Sequence, residues 1–147
     1  FSITPLNNAV DDVFSSGTER FYRGSVWIYE DGQYIVATNI VATKGYWVYA
    51  PVKRTFSVYG DLEKTAIRLS KGWNISGPVY DIADFKTAYA AYAAKVDPDN
   101  IRMFVSTPDG QTSYQPIVIN GKYPLYVGKA YWIYATEDVE LPLIPTK

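Results

Sequence analysis

The sequence predicts a mainly β fold of the β-rich α+β kind: two pseudo-symmetric antiparallel β subdomains, each with a short helix, sharing a core. Three observations predict it. The stretch Lys44-Gly45-Tyr46-Trp47-Val48-Tyr49-Ala50 returns almost letter for letter as Lys129-Ala130-Tyr131-Trp132-Ile133-Tyr134-Ala135. Both copies alternate with period two and use aromatic and β-branched residues, which suit a pleated surface. Finally, about 70 residues of β structure without cysteine would bury too little surface alone, so the two copies are expected to pool their interiors.

The elements follow in order. Residues 1 to 6 read as a strand ending at Pro5, after which Asn7-Asn8 cap a short helix whose apolar side is Val10, Val13 and Phe14. Ser15-Ser16-Gly17 ends that helix. Residues 20 to 29 alternate into a strand, Glu30-Asp31-Gly32 forms a turn with a glycine free to take positive φ, and residues 33 to 37 return as the second arm of a hairpin. The Tyr-Trp strand at 45 to 50 stops at Pro51, which has no N–H for a ladder, and residues 55 to 59 form the next strand.

Gly60-Asp61 marks the boundary, giving a first repeat over 1–61 and a second over 62–147. Residues 65 to 69 alternate, Lys71-Gly72 interrupts, and Trp73-Asn74-Ile75 runs on toward Pro78. From Asp81 the period changes: Ile82, Phe85, Tyr89, Tyr92 and Val96 recur at helical spacing, with five alanines between 88 and 94. Asp81 and Asp84 resemble a capping box, and Asp97-Pro98 terminates the helix. Strands at 101–106, 114–119, 131–135 and 139–143, with turns at Pro108-Asp109-Gly110 and Asn120-Gly121, complete the β set. Pro142 and Pro145 predict that the last strand is an edge or is leaving the sheet.

Outside the Tyr-Trp strands, Pro5 matches Pro78, and Asp31-Gly32-Gln33 matches Asp109-Gly110-Gln111. The spacing between matched residues widens along the chain, so the second copy carries extra residues in a longer helix and a longer loop. Lys71-Gly72-Trp73-Asn74-Ile75-Ser76-Gly77-Pro78, the helical stretch, the hairpin and Gly128-Lys129-Ala130-Tyr131-Trp132-Ile133-Tyr134 together resemble a recurrent module of bacterial and archaeal multi-domain extracellular surface proteins. That module opens on a Gly-Trp-Asn-Leu-(Ile/Val) strand ending at proline and closes on Gly-x-Gly-Tyr-Trp-Val. The resemblance covers 66 to 147 nearly completely. The copy over 1–61 lacks the opening Lys-Gly-Trp-Asn strand, and Ala130 stands where the module has its second glycine. The resemblance implies an accessory, non-catalytic surface module and no particular ligand. Phe1 falls inside the first strand of the first copy, so the chain is expected to be a fragment or mature product of a longer one, with a sheet edge left open.

Composition narrows the chemistry. With no histidine and no cysteine, Ser-His-Asp and Cys-His catalysis and His- or Cys-based zinc sites are impossible within this chain. Carboxylate chemistry of the glycosidase kind survives through Asp11-Asp12, Glu30-Asp31 or Glu137-Asp138, but adjacent acids usually point apart into water. Asp97-Pro98-Asp99-Asn100 offers oxygens that calcium accepts, yet helix termination with an Asx turn accounts for it. No cofactor and no metal is expected.

A net charge of -1 lacks the electrostatic footprint of a nonspecific nucleic-acid binder. No stretch approaches the roughly 18 apolar residues that span a bilayer, so no direct membrane insertion is expected. The lack of cysteine is also a feature of the family this sequence resembles, and the expected location is extracellular, at a cell or virion surface.

The functional expectation is a non-catalytic structural or assembly module of a larger surface protein, contacting neighbouring domains or subunits. The alternative is a carbohydrate-binding module attached to an enzyme. Fourteen tyrosines and four tryptophans supply faces on which sugar rings stack. Candidate binding residues are Trp27, Tyr29, Gln33 and Tyr114, with Trp27 expected to be the exposed ring.

Overall fold

The computed structural model describes residues 1, 3–14, 24–52, 57–62, 66–107 and 109–143. It is mainly β, with antiparallel pairing throughout the strands. In the first half, β1 (Ile3–Pro5) and the four-residue α1 (Val10–Val13) precede β2 (Val26–Glu30), β3 (Gln33–Val36), β4 (Tyr46–Val48) and β5 (Gly60–Leu62). The second half holds β6 (Ile67–Leu69), β7 (Gly72–Ser76), α2 (Phe85–Ala88), β8 (Arg102–Ser106), β9 (Thr112–Pro116), β10 (Tyr131–Ala135) and β11 (Val139–Leu141).

Two larger sheets carry the architecture, a three-stranded one in the order β3-β2-β4 and a four-stranded one in the order β7-β10-β8-β9. Each Tyr-Trp strand, β4 and β10, lies beside the first arm of a hairpin. The β2–β3 hairpin closes through Asp31 and Gly32, both at positive φ (48° and 79°), and Glu30 faces Gln33 in register. Positive φ at both central residues is the type I′ geometry whose twist matches that of paired strands. Asn120 (51°) and Gly121 (74°) repeat it between Ile119 and Lys122.

The strand edges match expectation at β11 and differ elsewhere. Residues 3–5 are paired, with Ile3, Thr4 and Pro5 opposite Leu62, Asp61 and Gly60, so this segment is not an open edge on both sides. The expected strand at 55–59 lies partly outside the described residues, and 57–59 are irregular; the strand begins at Gly60 and runs across residue 61. β11 pairs with β6, and an Arg68 Nε to Glu140 Oε1 bond of 2.7 Å ties exposed side chains across that pair.

The largest departure is the helix expected from Asp81 to Val96. Only residues 85–88 are α-helical, followed by a 3-10 turn at Ala90–Tyr92. Tertiary pairing overrides alanine propensity here. Ile82 exchanges backbone hydrogen bonds with Leu125 (2.8 and 2.9 Å), and the Phe85 amide donates to the Tyr123 carbonyl (2.8 Å), which keeps 82–84 out of the helix. Val96 then bridges Ala135. Asp81 and Asp84 form no capping box: Asp81 Oδ1 accepts from the Val127 amide (2.8 Å), and Asp84 accepts from Tyr123 N (3.1 Å) and the Thr87 hydroxyl (2.6 Å).

In place of the one joint interior expected, the buried residues form two clusters, one per half. Val13, Phe14, Val26, Ile28, Ala37 and Ile40 build the first, behind β2. The second is larger and centres on Phe85, Ile101, Leu125, Tyr131, Ile133 and Leu141. Period-two alternation sends the remaining residues of β2 and β10 to the opposite faces, and there the two sheets meet.

Candidate functional site

On β2, Val26 and Ile28 point into the first cluster, so Trp27 and Tyr29 occupy the other face. Cross-strand register places Trp47 opposite Trp27 and Tyr34 opposite Tyr29. On β10, Tyr131, Ile133 and Ala135 point into the second cluster, leaving Trp132 and Tyr134 facing out. Trp73 pairs with Tyr134, Arg102 with Trp132, and Phe104 with Tyr114, so all share that face.

The two outward faces interlock edge to face. Tyr29 and Trp132 centroids lie 4.7 Å apart at 70°, Trp47 and Phe104 4.8 Å apart at 85°, and Tyr34 and Trp132 6.3 Å apart at 87°. Within the second sheet Trp132 also meets Trp73 (6.1 Å, 83°) and Tyr114 (6.1 Å, 86°). Such perpendicular pairs set the positive ring edge against the negative ring face. Burial among these rings, with the Tyr114 phenol beside it, pushes the Tyr34 phenol up, while an indole N–H donated by Trp47 acts in the opposite sense.

A backbone seam fixes the separation of the sheets at one end. The Gly45 amide donates to the Ile75 carbonyl (2.8 Å), the Gly77 amide to the Thr43 carbonyl (3.1 Å), and the Ser76 hydroxyl to the same Thr43 carbonyl. Away from the seam the layers part into a cleft. One hollow of about 350 Å³ is lined by Tyr29, Trp73, Arg102, Tyr114 and Trp132. A second, of about 480 Å³, shares Tyr29 and Trp73 and adds the charged Glu30, Asp31, Lys44 and Lys71.

The charged groups of the second hollow differ in their engagement. Lys44 Nζ stands 3.9 Å from Glu30 Oε1. The Asn74 amide is committed internally: it accepts from Ser70 N (3.0 Å) and donates to the carbonyls of Ser70 (2.8 Å) and Gly72 (3.0 Å), which folds the Lys71-Gly72 turn around it. Gly72 sits at φ 101°, a conformation that favours glycine, so the Gly-Trp-Asn pattern is explained by the turn that presents Trp73.

Of the residues expected to bind, Tyr29 and Tyr114 come together in the cleft. Trp27 is half-buried on the central strand opposite Trp47, and Gln33 is exposed at the hairpin turn opposite Glu30; neither lines the hollows. The exposed tryptophan is Trp73, at 40%. Trp73, Trp132 and Arg102, none of them among the expected binding residues, complete the lining. The available signal was phase, because Trp132 alternates with Tyr131 and Ile133.

The other acidic candidates have structural partners. Glu137 pairs with Lys95 (2.8 Å), and Asp138 accepts from the Lys71 amide (2.8 Å). In the 97–100 loop, Asp97 accepts from Asp99 N (2.9 Å) and Asn100 Nδ2 (2.8 Å), and Asp99 accepts from the Tyr123 hydroxyl. Among the described residues no group of three or more acidic side chains is placed to hold a metal ion. No family model, curated protein or solved structure matches this chain.

Proposed function

We propose that this chain is a non-catalytic structural or assembly module of a larger extracellular or virion-surface protein, acting through protein–protein contacts with neighbouring modules or subunits. The observation that carries the reading is the edge strand β3. Among the described residues it ends the three-stranded sheet, every residue of Gln33–Val36 is exposed, and it bears no charge. Edges that stay solitary are usually blunted by lysine, proline or a bulge. β3 has none of the side-chain protections, and it displays Ile35 (45% exposed) and Val36 (52% exposed) beside its outer backbone groups. Such an edge is suited to strand addition, in which ladder hydrogen bonds supply affinity and alternate side chains supply selectivity. Among the described residues no helix is long and apolar enough to cross a membrane.

A second copy of the chain stands in for the neighbouring module in a direct test. Sedimentation velocity over a wide concentration range is expected to reveal self-association that Ile35→Lys abolishes. A monomer at every concentration, or association that Ile35→Lys leaves intact, would overturn the reading.

A further inference from the structure

We propose that the cleft between the two sheets binds a soluble neutral oligosaccharide, through the rings of Tyr29, Trp73, Tyr114 and Trp132 and the charged side chains of Glu30, Asp31 and Lys71. This goes beyond the assembly reading and does not rest on it, because Ile35 belongs to the β3 edge and not to the cleft lining.

Size and wall chemistry come first. Two adjoining hollows of about 350 and 480 Å³ that share Tyr29 and Trp73 fall in the range of small-ligand sites. One is walled by aromatic rings and Arg102, the other mainly by polar groups. A pyranose has the same division, with an apolar C–H face and a rim of hydroxyls. Trp73 (40%) and Tyr114 (49%) retain exposed area, so ring surface is left over after the contacts with Trp132.

Ring orientation narrows the physical form of the ligand. A flat row of coplanar rings suits the surface of a crystalline polysaccharide. Here Trp73, Tyr114 and Tyr29 stand at 83°, 86° and 70° to Trp132, so the four rings do not form one coplanar row. Crossed rings of this kind suit a free chain better than a flat crystalline face.

Charge selects a neutral ligand. The lining mixes carboxylates (Glu30, Asp31) with cations (Lys44, Lys71, Arg102), so an acidic or basic ligand meets like charge from one set or the other. Hydroxyls both donate and accept, and satisfy both sets at once. A proline-rich peptide also fits aromatic grooves, but its proline residues have no N–H to offer the two carboxylates.

The test is titration of the intact chain, by tryptophan fluorescence and calorimetry, with soluble gluco-, manno-, xylo- and N-acetylglucosamine oligomers, an oligouronate and a polyproline peptide. Saturable binding of at least one neutral oligomer is expected. It should weaken by at least about tenfold in Tyr114→Ala or in Asp31→Asn, taking loss of one anchoring contact as the scale. Asparagine tolerates the positive φ of residue 31, so Asp31→Asn keeps the turn, and far-ultraviolet circular dichroism checks both folds. No saturable binding of any neutral oligomer, binding confined to the oligouronate or polyproline, or neutral binding unchanged in both variants would overturn the proposal. None of these outcomes bears on Ile35→Lys, so the two readings fail separately.

Discussion

The Gly45 amide donates to the Ile75 carbonyl at 2.8 Å, and this contact joins the lead-in of β4 to the strand that carries Trp73. A Cβ placed on residue 45 would overlap the Ile75 Cγ2 methyl and lie 2.8 Å from the Ala130 Cβ. Glycine is needed here for close approach and not for its dihedral freedom. The Ala130 methyl is accommodated there only because residue 45 has none.

Gly45→Ala is therefore expected to destabilise the fold by about 1–3 kcal/mol, the usual cost of overpacking. Denaturant unfolding followed by tryptophan fluorescence would measure it. Stability unchanged within experimental error would mean that the seam is loose.

Asn74 makes a second prediction about the same turn. Its side chain is buried and satisfies one amide and two carbonyls. Asn74→Leu keeps the branched shape but removes those partners, leaving partly buried backbone groups to find others. A loss of about 1–3 kcal/mol is expected from that desolvation. Chemical denaturation gives the stability, and a rise in the accessibility of Trp73 to a fluorescence quencher should accompany it.

The sequence made some of this legible and hid the rest for identifiable reasons. Asp31-Gly32 and Asn120-Gly121 announced their turns because positive φ is a local demand that few residues meet. The Tyr-Trp strands were readable because period two is local as well. The helix from Asp81 was not, since Ile82 and Val96 are claimed by Leu125 and Ala135, partners distant in sequence. Which tryptophan stays wet was equally hidden: Trp27, expected to be the exposed ring, is half-buried, and Trp73 on β7 is the exposed one. β5 crosses residue 61 because its partner is β1, at the far end of the first half.

The ring layer predicts energetic coupling between the halves. Tyr29 belongs to β2 and Trp132 to β10, yet their rings are 4.7 Å apart. A double-mutant cycle with Tyr29→Ala and Trp132→Ala should return a coupling of about 0.5–1.5 kcal/mol beyond the sum of burial effects. Additive single effects would mean that the two rings touch without stabilising each other.

Alkaline titration tests the two interiors separately. Burial pushes Tyr46 in the first half and Tyr89 in the second up to about 12, from the ordinary value of 10.0. For Tyr89, the neighbouring Tyr92 adds to the shift, and the hydroxyl donates to the Pro142 carbonyl at 2.7 Å, a bond that phenolate cannot make. The Tyr46 oxygen instead accepts from the Val41 amide at 2.8 Å, which favours phenolate, and burial outweighs it. In both cases the folded state holds the proton more tightly than the unfolded state. The resulting stabilisation is fully present below pH 10 and is lost as pH rises through about 12. Ultraviolet titration should show Tyr46 and Tyr89 ionising after the exposed phenols. Denaturant midpoints should fall across the same window. Tyr89→Phe should flatten that fall for the second half while leaving the Tyr46 step in place, and a titration in which all tyrosines ionise together near pH 10 would contradict the burial of both hydroxyls.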